Sequence, residues 1–151
     1  MQANSDLTDL LRALNEEGAE YLIVGGYAVA LHGHLRATKD VDIFVGAQPE
    51  NAAKVWRALV RFGAPLEGLR REDLSEPGVF YIMGWPPNQI GILTSIDGVD
   101  FESAWRNRLA SNYDGVSSWF IALEDLVANK AASGRPQDLA DLAALRRTRE
   151  P

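Results

Sequence analysis

Apolar residues recur every three or four positions near the start of the chain. Leu7, Leu10, Leu11 and Leu14 form one stripe and predict a helix from about Asp6 to Glu17, which Gly18 stops. The period then changes. Glu20 to Val24 carries the continuous apolar run of a strand, Tyr27 to His32 reads as a short helix closed by Gly33, and Val41 to Val45 as a second strand. Pro49 suits the first turn of the next helix, whose apolar face is Ala52, Val55, Trp56, Leu59 and Val60 and whose end is Gly63. Ala64 to Gly78 mixes Pro, Gly and alternating charge, the pattern of a loop or short helix over one edge. Strands resume at Val79 to Met83 and Gln89 to Leu93, joined by Gly84-Trp85-Pro86-Pro87. Asp100 to Arg108 predicts a helix, Ser117 to Ala122 a last strand, and Leu123 to Ala132 and Pro136 to Arg147 two terminal helices.

Strands interleaved with helices predict an α+β fold, a mixed β-sheet flanked by helices. The expectation is one domain over 1–151, with a sheet core in 1–122 and appended terminal helices in 123–151 jointed at Ser133-Gly134-Arg135. No internal repeat or low-complexity linker divides it. Hydrophobic residues at 46% and charged residues at 24% are ordinary globular usage, enough for a sizeable core and against disorder. The absence of cysteine removes disulfides, thiolate metal sites and cysteine nucleophiles. No apolar stretch approaches the ~20 residues of a membrane span, and Met-Gln-Ala-Asn-Ser-Asp lacks signal-peptide character, so a cytoplasmic protein without membrane association is expected. Fifteen Lys and Arg against 21 Asp and Glu give a net charge of −6, which disfavours general coating of nucleic acid. Arg57, Arg61, Arg70, Arg71 and Arg146, Arg147, Arg149 could form a local basic patch for RNA, but read better as solvated helix ends.

Candidate chemistry lies between Val24 and Asp42. On a strand, Asp40 and Asp42 flank Val41 and project from one face, placing two hard oxygen ligands together. Such a pair suits Mg²⁺, which takes one or two carboxylates plus water and substrate phosphates. Gly25 and Gly26 follow the apolar strand and precede the short helix, a corner where a phosphate can approach backbone N–H groups. About fifteen residues separate the pair from Asp40, enough for one short helix and a return to the same cleft. The duller accounts are a tight turn and an edge strand.

These residues resemble the DNA polymerase beta-like nucleotidyltransferase superfamily, whose signature is an apolar residue, Gly-Gly or Gly-Ser, then Asp-x-Asp or Asp-x-Glu. Arg36, Thr38, Asp40 and Asp42 look like the first motif of the small bacterial AbiEii/MNT-type nucleotidyltransferases, which are related to toxin–antitoxin systems. Glu124 to Lys130 and Gly134 to Leu142 are similar to that group's lysine helix and its Arg-x-x-Asp-x-x-Asp helix. The resemblance covers about Glu20 to Leu145. It implies a nucleotidyltransferase fold and Mg²⁺-dependent transfer of a nucleoside monophosphate from a nucleoside triphosphate such as ATP to an RNA or protein acceptor, with a cognate partner protein. Two metal ions about 4 Å apart would stabilise the attacking and leaving oxygens. Asp40 and Asp42 would be the catalytic metal ligands, and Gly25, Gly26, Arg36, Thr38 and Lys130 would bind nucleotide. Lys130 would supply a point charge for a β- or γ-phosphate.

The family's third carboxylate is expected on the strand Asn88 to Ser95, where this chain has Gly91. Glycine can neither bind a metal nor take a proton. An alternative is therefore a catalytically impaired nucleotide-binding or protein-interaction module. Asp97 and Asp100 lie beyond the strand and would need another geometry to substitute. Asp138 and Asp141, three apart on one helical face, favour a salt-bridge network with Arg135 or Lys130 over catalysis. His32 and His34 suggest helix packing or capping. Trp85 reads as a cover for a core edge more readily than as a base-stacking group.

Overall fold

The computed structural model of the protein describes residues 5–36, 38, 40–86 and 88–148. Ala37, Lys39, Pro87 and Arg149, which belong to segments named above, lie outside them. The chain runs α1 (Ser5–Glu16), β1 (Tyr21–Val24), α2 (Gly25–Leu31), β2 (Asp40–Val45), α3 (Pro49–Phe62), a 3₁₀ turn (Arg71–Ser75), β3 (Phe80–Met83), β4 (Gln89–Leu93), α4 (Phe101–Arg106), β5 (Leu109–Tyr113), β6 (Val116–Phe120), α5 (Leu123–Ser133) and α6 (Pro136–Thr148).

The leucine stripe of α1 is fully buried at Leu7, Leu10, Leu11 and Leu14. Asn15 fixes this helix to the sheet, accepting from Tyr21 Oη at 2.9 Å and donating to the Ser117 carbonyl at 2.8 Å. In α3 the buried residues are Asn51, Ala52, Val55, Ala58 and Leu59. Val60, assigned above to the apolar face, is half-exposed, because that face turns with the 3.6-residue period past it. Asn51 is the polar member of the buried set, bonding the backbone of Glu20 and Gly46 and so joining α3 to the start of β1 and the end of β2.

Six strands form one mixed sheet in the order β3-β4-β2-β1-β6-β5. β2 is antiparallel to β1 and parallel to β4, and β1 is parallel to β6. The predicted mixed sheet with flanking helices is therefore present, and one strand was missed. The expected helix over Asp100–Arg108 is shorter, Phe101–Arg106, with the Asp100 carboxylate accepting from Ser103 N at 3.1 Å. After it the chain turns into β5, an edge strand antiparallel to β6. Asp114 and Gly115 join the two strands, with φ of +47° and +81°, the pair of positive φ values that a tight two-residue hairpin demands. The last strand consequently begins at Val116 and ends at Phe120.

Candidate active site

β2 is the central support of the site. Its registry aligns Val24 of β1, Asp42 of β2, Gly91 of β4 and Ile82 of β3 in one row across the sheet, all on one face. Asp40, two residues earlier on β2, shares that face at its exposed end, while Asp42 is half-buried. Burial, then the charge of Asp40, pushes the Asp42 carboxyl above the usual range, against the opposing charges of Lys130 and Arg135. A half-buried carboxylate repelled by its neighbour is a natural place for a divalent cation.

The two carboxylates open onto a cleft of about 740 Å³. Gly25, Gly26, Arg36 and Thr38 line one side, and Phe80, Leu93, Ser95 and Asp97 line another. Lys130, Arg135 and Asp138 of the terminal helix pair complete the lining. The structure thus brings all seven sequence-predicted site residues, Gly25, Gly26, Arg36, Thr38, Asp40, Asp42 and Lys130, to a single cleft.

The two glycines differ in their reasons. Gly25 opens α2 with φ +67°, and a Cβ there would stand 3.0 Å from Asp42 Oδ2. Its lack of a side chain leaves the carboxylate accessible from the α2 side, and Val24 places no side-chain cap on the helix start. Gly26 is buried, and a Cβ would meet Thr38 Oγ1 at 2.7 Å. Its smallness lets the loop between α2 and β2 close onto α2, where Thr38 Oγ1 donates to the Asp40 carbonyl at 3.0 Å.

That loop is held by α6. Arg36 grips Asp141 through Nε at 2.8 Å and Nη2 at 3.0 Å. Lys130, 4% exposed, lies between Asp138 at 3.1 Å and Asp141 at 3.0 Å. Arg135 in turn holds Asp138 through Nε at 2.6 Å. Burial raises both aspartates, but the hydrogen bonds of Arg135 and Lys130 on Asp138, and of Arg36 and Lys130 on Asp141, hold them below the usual carboxylate range. The salt-bridge reading of Asp138 and Asp141 is the observed one. Lys130 reaches the cleft from inside this network, not as a solvated helix lysine. Arg135, absent from the predicted site list, lines the cleft with 76% of its side chain exposed. Its place after Gly134 at the start of the last helix is the signal that was available.

Gly91 sits where the registry would aim a third carboxylate at Asp42. A Cβ at this position would be 3.0 Å from Asp42 Oδ1 and only 2.6 Å from Phe80 Cε2. An aromatic ring therefore occupies the adjoining space, and Phe80 is 55% exposed on the cleft wall. Among the described residues no group of three acidic, histidine or cysteine side chains could share a metal ion.

Other expectations resolve away from the cleft. Arg57 and Arg61 pair with Glu16 and Glu17, and Arg70 with Asp73, so three arginines of the supposed basic patch bind carboxylates of this chain. His32 Nε2 lies 2.9 Å from the Ile121 carbonyl, joining the end of α2 to the segment after β6. Trp85 is 85% exposed, so it does not cover a core edge as expected. No helix among the described residues is long and apolar enough to cross a membrane.

Comparison with curated proteins returns no match. A family model does match, over residues 2–146, and it spans the sheet, the paired carboxylates and the lysine and arginine helices. The chain belongs to that family, described as a nucleotidyltransferase of unknown function (DUF6036).

Proposed function

We propose that this chain, as one unit over 1–151, binds a nucleoside triphosphate with Mg²⁺ in the cleft and transfers its nucleoside monophosphate to an acceptor, releasing pyrophosphate. The observation that carries this reading is the position of Asp40 and Asp42 on one face of β2, at the floor of a cleft whose far wall holds Lys130 and Arg135 in ion pairs with Asp138. Their donor set, two hard carboxylates with an open approach past Gly25, fits Mg²⁺ with water and phosphate oxygens as its remaining ligands. Bound there, the ion would neutralise charge on the transferring phosphoryl group. Arg36 and Thr38 orient the loop beside the triphosphate. Lys130 and Arg135 are the side chains that would meet the β- and γ-phosphates, sharing their hydrogen bonds with Asp138, and Gly26 lets the loop close. RNA or protein is the acceptor class, and a cognate partner protein in a toxin–antitoxin setting of the AbiEii/MNT type is consistent with the sequence motifs.

Gly91 and Phe80 favour a second reading, in which the chain holds the nucleotide but turns it over poorly. One experiment separates the two. Purified protein with Mg²⁺ is incubated with each α-labelled nucleoside triphosphate and cell extract, with Asp40→Ala as control, while nucleotide binding is measured by calorimetry. Label transfer lost in Asp40→Ala establishes the transferase. Binding without transfer establishes the impaired module, and absence of both rejects the cleft as a nucleotide site.

A further inference from the structure

An alcohol that attacks phosphorus must lose its proton, and a positioned side chain within hydrogen-bond reach, or one water away, accepts it. The strand position facing Asp42 cannot supply that group, since Gly91 has no side chain and the Phe80 ring fills the adjoining space. Among the described residues, the carboxylates lining the cleft are those of Asp40, Asp42, Asp97 and Asp138. Asp40 and Asp42 serve the cation. Asp138 is taken by Lys130 Nζ at 3.1 Å and Arg135 Nε at 2.6 Å. Asp97 is exposed, and its carboxylate enters no hydrogen bond or ion pair among the described residues. Its backbone, by contrast, is fixed. The residue follows β4 in a tight turn closed by the bridge from Ile96 to Val99, with Gly98 at φ +72°. A Cβ on Gly98 would stand 2.6 Å from Ala132 Cβ and 3.1 Å from the Ala128 carbonyl oxygen, so the turn is seated on α5. From the same helix, Asn129 Nδ2 donates to the Asp97 carbonyl at 2.9 Å. The strand that lacks a carboxylate at Gly91 thus delivers one to the cleft six residues later, at a point held by α5.

We infer that Asp97 is the general base of the transfer, taking the proton of the acceptor's hydroxyl. The inference rests on the transfer reading above. The acceptor's O–H bond breaks and its proton passes to an Asp97 carboxylate oxygen, while the freed oxygen forms a bond to the α-phosphorus. The bond from that phosphorus to the oxygen bridging toward the β-phosphate breaks, pyrophosphate leaves with the electron pair, and Asp97 returns the proton to water. Arg135 relates this carboxylate to the metal pair. Its guanidinium is raised first by the hydrogen bond to Asp138 and also by the charges of Asp42 and Asp97, so both carboxylates lie within its electrostatic reach. Asp97 nevertheless stands apart from the cation, because no three acidic side chains among the described residues could share a metal ion. A carboxylate that neither binds the metal nor is neutralised by a hydrogen-bonded cation keeps its lone pairs for a proton.

The test measures initial rates of label transfer with purified protein, Mg²⁺, α-labelled nucleoside triphosphates and cell extract, for the native chain, Asp97→Asn and Asp97→Ala. The turn survives both changes, since the bond from Asn129 reaches the Asp97 backbone. Asp97→Asn should slow transfer about a hundredfold, within the range for a lost general base, while nucleotide binding by calorimetry stays within about twofold. Added formate, a carboxylate small enough to enter the space of the missing side chain, should raise the rate of Asp97→Ala about tenfold. An Asp97→Asn rate within about threefold of an active native chain overturns the inference and leaves the transferase reading standing. A loss that formate does not relieve, or that nucleotide binding shares in proportion, also overturns it, because Asp97 would then serve structure or nucleotide affinity. No label with the native chain, nucleotide bound, overturns both.

Discussion

Replacing Asp141 by Asn removes one charge and almost no volume, at the carboxylate that ties the α2–β2 loop to α5 and α6. The carboxylate is fully buried and accepts from Arg36 Nε at 2.8 Å, Arg36 Nη2 at 3.0 Å, Lys130 Nζ at 3.0 Å and Gln137 Nε2 at 3.0 Å. An asparagine offers one acceptor oxygen and an NH₂ group that faces donors, so Arg36 and Lys130 cannot both be satisfied. Removing one partner of a buried ion pair costs about 3–5 kcal/mol. Lys130 keeps Asp138, and the Arg36 side chain is 21% exposed and gains some water, so the low end, about 3 kcal/mol, is expected. With a urea m-value of about 2 kcal/mol/M, the unfolding midpoint falls by about 1.5 M at unchanged slope. Lys130→Met should cost less, because each aspartate retains an arginine. The double variant should then be more stable than the sum of the two losses by about 1 kcal/mol or more. An unmoved midpoint in Asp141→Asn, or strict additivity in the double variant, would refute the idea that these groups act as one unit.

Four further outcomes follow from the same geometry. Asp138 and Asp141 have depressed folded pKa values, so their stabilisation is complete above the unfolded value of about 3.9 and is lost as pH falls through the folded values. The gap between the native protein and Asp141→Asn in urea unfolding should accordingly shrink between pH 5 and pH 2, roughly the window of that titration. Asp42 is shifted the other way, chiefly by burial, so its ionised form opposes folding above its raised pKa. Asp42→Asn should raise the metal-free melting temperature at pH 7 by about 2–4 °C, equivalent to about 1 kcal/mol, and a fall would contradict the site's electrostatics. Gly26→Ala drives a methyl to 2.7 Å from Thr38 Oγ1 and should cost about 1–3 kcal/mol in chemical unfolding, relieved when Thr38→Gly is added. Gly115→Ala, at φ +81° in the β5–β6 hairpin, should cost about 1 kcal/mol, and its amide exchange should accelerate in β5 before β1.

Much of this was legible because periodicity and chemistry coincided. The α1 stripe, the Asp40–Val41–Asp42 alternation and the Pro49-to-Gly63 helix each follow from spacing that only one element satisfies. β5 was not legible, since Leu-Ala-Ser-Asn-Tyr lies on an edge, is exposed along most of its length and shows no clean alternation. The Asp114-Gly115 pair was the signal that could have revealed it. Val60 and Trp85 show the same limit, because apolar character does not state which side of an element meets the core. At the site, the sequence showed that Gly91 lacked a carboxylate, but not that Phe80 fills the neighbouring space, since a diagonal contact between strands depends on registry. That Gly26 also packs against Thr38 is a fact of loop closure with no local signature.

The bond from Arg36 to Asp141 spans 105 residues of sequence. Contacts of such separation require distant parts of the chain to come together against loop entropy. A chain with its sheet complete but α6 undocked would carry Asp40 and Asp42 in registry, yet the loop would lack its anchor and Lys130 and Arg135 their carboxylate partners. Readiness for nucleotide would then report completion of the whole fold, and release of α6 would disarm the cleft and uncover Leu142, Ala144 and Leu145 in the same event.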